Sequence, residues 1–240
     1  MSFTERNEIV FGPEGVERLK NSTVAVYGLG GVGAAAAVSL VRSGVGHIRV
    51  TDFDVIAESN LNRLIFGFEN NVGMKKTDVF SATARAINPD VDIVVSGDFM
   101  HGDNASSLLH EADFHIDAID SLNPKVCMIE ALLAQHQDFI SSMGTGGKVR
   151  PEMLEIADIW KTDVCQLAKF VRKRLRGRGV RAHFPVVFSR ETAVAPVESD
   201  DGPGLELGRT RKTQGSTVFV PQCAGIMAAG YAVRRLLGLE

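Results

Sequence analysis

The run from Ser22 to Asp54 constrains the fold of this 240-residue chain more than any other stretch. Val24 to Tyr27 is apolar with β-branched residues, the composition of a buried strand. Four glycines follow, Gly28, Gly30, Gly31 and Gly33, and the Ala-rich segment after them reads as a helix. A second strand, His47–Thr51, ends on Asp52, about twenty residues past the glycines. This strand–turn–helix–strand context is what gives a Gly-x-Gly-x-x-Gly match its meaning. Residues without Cβ let the backbone approach a phosphate or ribose, and the helix start offers free N–H groups and a positive dipole end. A nucleotide fits here, but the turn alone leaves NAD, FAD and ATP open.

Beyond Asp54 the pattern continues as alternating strand and helix. Val55–Phe68 reads as a loop carrying Asn60, Asn62 and Arg63, and Gly73–Ile87 as a helix stopped by Asn88-Pro89. A strand at 92–95, a short helix at 104–110, a strand at 114–119, a helix at 123–135 and a strand at 138–142 follow. The expected fold is α/β, a Rossmann-like mostly parallel sheet with helices on both faces. After the turn Met143–Lys148, the spacing gives a strand at 155–159, an amphipathic helix at 164–176 and a strand at 184–189. The polar, glycine-rich stretch 198–216 reads as a mobile loop, and Val218–Val220 with a helix at 225–237 returns to the core. One domain over 1–240 is expected, with a nucleotide-binding half (1–150) and a substrate-side half (151–240).

Composition narrows the classes. A net charge of −3 excludes a protein coated for general nucleic-acid binding and leaves a local basic patch open. No signal pattern opens the chain, and its longest apolar tract near the end is interrupted by Arg234 and Arg235, so no membrane span is expected. Three scattered cysteines give neither a disulfide framework nor a Cys-x-x-Cys pair, and the expected location is cytoplasmic.

Several residues carry chemistry. Asp52 ends the second strand, where a carboxylate can accept ribose hydroxyls, and Asp54 divides evenly between a site role and a turn. Arg63 and Lys76 suit a triphosphate whose charge must be neutralised as pyrophosphate leaves, a demand that hydride transfer does not make. Asp120 ends a later strand, where it can hold Mg²⁺ and phosphates or cap the helix that follows. The run Lys169, Arg172, Lys173, Arg174, Arg176, Arg178, Arg181 is either the solvated side of a helix or a phosphate-tracking surface, joined by Arg209, Arg211 and Lys212. Cys165 reads as a buried cysteine rather than a nucleophile.

Five blocks then resemble one family in order and spacing. Gly28-Leu-Gly-Gly-Val-Gly33, Asp52-Phe-Asp54, Ser59-Asn-Leu-Asn-Arg63, Gly73-Met-Lys-Lys76 and Ala118-Ile-Asp-Ser121 look like the ThiF/MoeB/ubiquitin-activating superfamily of adenylating enzymes. The resemblance implies ATP and Mg²⁺ as cofactors. It places Gly28, Gly30, Gly31, Gly33, Asp54, Asn60 and Ser121 around the nucleotide, with Asp52 on the ribose. Arg63 and Lys76 would meet the phosphates, and Asp120 the Mg²⁺-bound phosphates. Arg6 matches an N-terminal arginine that reaches the neighbouring subunit's ATP, which implies a homodimer. No cysteine lies in the candidate crossover loop 189–216. With Ala118–Lys125, Gly144-Thr-Gly-Gly-Lys148 and Asp158–Thr162, the chain looks like the tRNA threonylcarbamoyladenosine dehydratase branch. That branch implies ATP-dependent cyclisation of a tRNA nucleoside through adenylation of its threonyl carboxylate, and leaves room for a sulfur-transfer protein among the partners. The alternative is activation of the C-terminus of a ubiquitin-like or sulfur-carrier protein.

Overall fold

The computed structural model describes residues 3–101, 104–198 and 212–239. Seven strands form one sheet in the order β3-β2-β1-β4-β5-β7-β6. Strands β1 (Thr23–Tyr27), β2 (His47–Thr51), β3 (Asp92–Ser96), β4 (Phe114–Asp117), β5 (Phe139–Ser142) and β7 (Pro185–Ser189) run parallel, and the edge strand β6 (Leu154–Asp158) runs antiparallel to β7. The order reverses between β1 and β4, so the connections leaving those strands part to opposite sides and open a crevice at their carboxyl ends.

Each face of the sheet has its own core, and β1 shows how the period of two divides them. Val24 and Val26 join the cluster covered by α1 (Glu5–Lys20), α2 (Gly31–Arg42), α3 (Lys76–Ile87) and α6 (Phe219–Leu237). Ala25 and Tyr27 face the other cluster, under α4 (Leu122–Ala134) and α5 (Gln166–Gly177). Because α6 packs on α2, the first cluster draws on both ends of the chain. The contact is close: a Cβ on Gly225 of α6 would lie 2.1 Å from the Val32 carbonyl oxygen. None of the described helices is long and apolar enough to cross a membrane.

Three readings of local structure are corrected. Residues 104–110 form a turn rather than a helix. The Asn104 side chain accepts from His101 N and donates to Phe99 O, Leu108 N still reaches the Asn104 carbonyl, and the His110 N–H goes to the Tyr27 hydroxyl, so the turn does not continue as a helix. The last helix begins at Phe219, six residues ahead of the expected start, because Pro221 sits in the first turn, where no intrahelical N–H is needed. At the base of the loop expected at 198–216, β8 (Val197–Glu198) and β9 (Lys212–Thr213) pair antiparallel; residues 199–211, with Arg209 and Arg211, lie outside the described residues. The segment before β1 is the helix α1, kinked where Gly12 has φ +74°.

Candidate functional site

The turn after β1 and the turn after β4 meet across the crevice. Gly28 has φ +89°, and a Cβ there would lie 3.0 Å from the Ala118 carbonyl oxygen. A Cβ on Gly33 would lie 1.7 Å from the Gly28 carbonyl, so both positions require glycine. Helix α2 starts at Gly31 with no side-chain cap, leaving its first N–H groups for an anion. A pocket of about 140 Å³ lies beside this turn, lined by Gly28, Gly30, Asp52, Asp54, Lys76, Asp120 and Ser121 among others. Seven of the residues singled out from the sequence therefore share one cavity.

Their contacts assign them different jobs. Asp52 is buried and accepts Leu29 N at 2.5 Å and Asp54 N at 2.8 Å, so the carboxylate also holds the glycine turn in place. Lys76, buried at the start of α3, donates to Asp54 at 2.8 Å and lies 3.7 Å from Asp52. Asp120 and Ser121 are exposed, joined by a 3.2 Å hydrogen bond from Ser121 Oγ. Beneath them, the Asp117–Lys125 ion pair (2.6 Å) is fully buried, with Ser141 donating to Asp117 at 2.6 Å and Ile119 N donating to its other oxygen at 3.0 Å. That network fixes the turn that presents Asp120.

Other residues fall elsewhere. Arg63 lines a second cleft, donating to Ser59 O at 2.7 Å and Asn62 Oδ1 at 2.9 Å, with its stem against the Gly31 position. Gly31 lines the same cleft, and Gly33 packs behind the turn. Asn60 lines neither cavity; its Oδ1 accepts Ala57 N at 3.2 Å and closes its own turn. Arg6 sits exposed on α1, lining neither cavity. Cys165 is buried in the wall of the second cleft.

That cleft, about 1010 Å³, shares Ala118–Ser121 with the nucleotide pocket and runs between β5, the start of α5 and the segment 191–196. Lys148 lines it, buried, donating to Gly144 O at 2.9 Å and Ser189 O at 3.3 Å. Burial holds its ammonium below the ordinary value, against the opposing charges of Cys165 and Glu191. Glu191 accepts the main-chain N–H groups of Val149 and Arg150. Sequence reasoning missed Glu191 as well as Phe53 and Phe99, an exposed edge-to-face pair 4.8 Å apart in the pocket wall. Two aromatic side chains left exposed beside a nucleotide-binding turn are a signal, but residues 53 and 99 meet only through the fold. Gln222 of α6, which donates to the Arg63 carbonyl at 3.2 Å, was likewise invisible.

Among the described residues no group of three or more His, Cys, Asp or Glu side chains forms a metal site. The donor set at Asp120, one exposed carboxylate beside a hydroxyl, fits a Mg²⁺ ion held chiefly by substrate phosphates and water, the usual arrangement for that hard cation.

An open, mostly parallel sheet, a glycine turn facing a carboxylate turn across its switch point, and a buried lysine between them define a nucleotide-binding α/β protein with a second, connected cleft. The chain belongs to the ThiF family, whose model matches residues 4–239. It is 37% identical over 237 residues to tRNA threonylcarbamoyladenosine dehydratase of Bacillus subtilis, covering 97% of this chain and 93% of that protein. Among solved structures it is similar to the E. coli tRNA N6-threonylcarbamoyladenosine dehydratase TcdA in complex with AMP, with TM-score 0.87, 29% identity, and 97% and 93% of the two chains covered. The ATP complex of the same enzyme matches with TM-score 0.86 at 29% identity and the same coverage.

Proposed function

We propose that the chain is an ATP-dependent tRNA threonylcarbamoyladenosine dehydratase. The observation that carries this is a whole-length likeness to such dehydratases, one of them solved with ATP and with AMP, in a chain whose pocket residues suit adenylation. The threonyl carboxylate of the modified nucleoside attacks the α-phosphate of ATP, and pyrophosphate leaves. A nucleophilic atom of the nucleoside's own carbamoyl group then attacks the activated carbonyl carbon. AMP departs, a proton is released, and the net change in the nucleoside is loss of one water. Because that nucleophile is intramolecular, its effective molarity is high and no covalent enzyme intermediate is required. The absence of cysteine from residues 189–216 accords with this route.

The residues take the following parts. The N–H groups opening α2 hold phosphate, and Asp52 combines support of the turn with acceptance of a ribose hydroxyl, each oxygen having a second lone pair. Lys76 moves from Asp54 to the phosphates as charge builds there, and Arg63 reaches them from the side of the second cleft. Asp120, with Ser121, would hold Mg²⁺, which supplies further neutralisation of phosphate charge. Arg6 acts across a homodimer on the partner's ATP. Asn60 supports the Arg63 turn rather than the nucleotide. The second cleft receives the modified nucleoside, so that its carboxylate meets the phosphates at the shared turn 118–121.

The test is to incubate the protein with ATP, Mg²⁺ and tRNA bearing threonylcarbamoyladenosine, then weigh the nucleosides. A product lighter by one water, formed with AMP, is expected. Pyrophosphate release that needs a ubiquitin-like or sulfur-carrier protein instead of tRNA would replace this reading with the carrier-activating one. Asp120→Ala should lower pyrophosphate release by two orders of magnitude or more, in line with removal of an electrostatic anchor, worth on the order of 10²–10³. Unchanged release would remove Asp120 from the site.

A further inference from the structure

The strongest charge asymmetry of the molecule lies away from the nucleotide pocket. Residues 161–181 hold eight of the 26 lysines and arginines but one of the 29 carboxylates, leaving 18 cationic against 28 acidic side chains in the rest of the chain. Helix α5 carries most of them. Its inner face, Ala168, Val171 and Leu175, is buried in the core between α5 and the sheet. On the outer face, Lys169, Arg172, Lys173 and Arg176 recur at i, i+3, i+4 and i+7, a single stripe about 10 Å long.

Like charges at this spacing oppose helix formation unless an anion lies between them. Within the chain little does. The side chains of Lys169, Lys173 and Arg174 have neither a hydrogen bond nor an ion pair among the described residues. Arg172 donates to the neutral hydroxyl of Thr162, and Arg176 lies over the Trp160 ring, 5.0 Å from its centroid. Stacking orients a guanidinium while leaving its edge free to donate. Asp163, the one carboxylate of the stretch, is turned to Arg190 at 3.3 Å. Burial first, and the charge of Arg176 second, hold the Arg172 guanidinium below its ordinary value, against the opposing charges of Cys165 and Asp163.

The stripe also has a fixed relation to the site. Cys165, Gln166 and Leu167, at the start of α5, line the 1010 Å³ cleft, so Lys169 stands one helical turn from its rim. We infer that the outer face of α5, through Lys169, Arg172, Lys173 and Arg176, tracks the phosphate backbone of the RNA whose modified nucleoside enters the adjoining cleft. This rests on the tRNA-modifying reading above. Phosphate contacts of this kind set orientation and affinity but carry no sequence information, so the stripe serves any RNA presenting the nucleoside at the cleft.

The test compares the double variant Lys169→Ala/Lys173→Ala with the wild type and with a control pair, Lys20→Ala/Arg85→Ala. The control removes the same charge from α1 and α3, which cover the opposite face of the sheet. Binding of threonylcarbamoyladenosine-bearing tRNA is followed against salt, together with KM for tRNA and kcat. The stripe variant should lose about 1.4–1.8 from the slope of log K against log salt, two phosphate contacts' worth, and bind roughly tenfold more weakly near 0.1 M salt. KM for tRNA should rise with kcat and ATP binding unchanged, the control should match the wild type, and Lys169→Arg/Lys173→Arg should restore binding. A stripe variant with the wild-type slope and KM, in an enzyme that still dehydrates its tRNA, overturns the inference and leaves the proposed function standing. An equal loss in the control pair overturns it too, since net charge and not the stripe would then be felt. A wild type that neither binds nor alters tRNA overturns the proposed function, and this inference with it.

Discussion

Two lysine–aspartate pairs lie within the same crevice region and have opposite characters. Lys125 and Asp117 are wholly buried, 2.6 Å apart, with Ser141 and Ile119 N completing the carboxylate's partners. Lys76 is as well hidden by its stem, but its partner Asp54 is half exposed and its second carboxylate, Asp52, stands off at 3.7 Å. The first pair has nothing left to offer a ligand. In the second, a cation is held between two carboxylates at the wall of a pocket, and a phosphate arriving there competes with Asp54 for it. Identical residue types thus serve rigidity in one place and exchange in the other, and solvent access to the aspartate separates them.

The largest effect that would sharpen this contrast is loss of the buried pair. Lys125→Met should cost about 3–5 kcal/mol, because Asp117 is left as an uncompensated buried charge. That corresponds to a fall in Tm of about 10 °C for a chain of this size. A companion Asp117→Leu should recover much of the loss. Thermal unfolding that moved by less than about 1 kcal/mol in Lys125→Met would break the distinction.

Lys76→Met comes next, with the opposite profile. Stability should fall by less than in Lys125→Met, since the half-exposed Asp54 returns to water and the buried Asp52 keeps the Leu29 and Asp54 N–H groups. Pyrophosphate release should fall on the order of 10²–10³-fold. Equal losses of stability in the two variants would mean that both pairs are structural.

The smallest effect concerns the polar network behind the crevice, where neither lysine reaches. The Tyr27 hydroxyl bonds His115 Nδ1 at 3.2 Å and accepts His110 N at 2.9 Å, while Gln137 meets His115 Nε2 at 3.1 Å. Burial, as the largest cause, holds both imidazoles below their ordinary value of 6.5, and it drives the Tyr27 phenol upward. Below pH 6.5 the unfolded chain therefore takes up protons that the folded chain refuses, so the stability contributed by neutral His110 and His115 is present above that pH and lost as it falls. A tenfold difference in proton affinity corresponds to about 1.4 kcal/mol. Melting followed from pH 7.5 to 5 should decline, and His115→Gln should flatten the decline. An identical slope in that variant would clear His115 of any part in it.

How much of this was legible follows from how local each signal is. The glycine turn, Asp52 and the run Ala118–Ser121 sit on segments whose own periodicity announces a strand end, so their meeting at one crevice is legible in the order of residues alone. The antiparallel turn of β6 is not, since an edge strand's direction is decided by its partner and not by its own residues. Asn60 carries an amide that suits a ligand and a tight turn equally, and its Oδ1 closes the turn. Phe53 with Phe99, and Lys148 with Glu191, come from separate connections and become a pocket wall and a cleft only when the sheet is assembled. For α5, spacing alone gave the cationic face but not its neighbours; the cleft at its first turn distinguishes a placed stripe from a merely solvated one.

The seating of Gly225 against Val32 has a temporal consequence. The helix that opens at the glycine turn, α2, is made well before the helix that covers its back, α6. Until α6 emerges, the alanine-lined outer side of α2 is bare, and the Arg63 turn lacks the Gln222 side chain that tethers it. A nascent chain therefore carries the residues of the pocket before it has the helix that braces them.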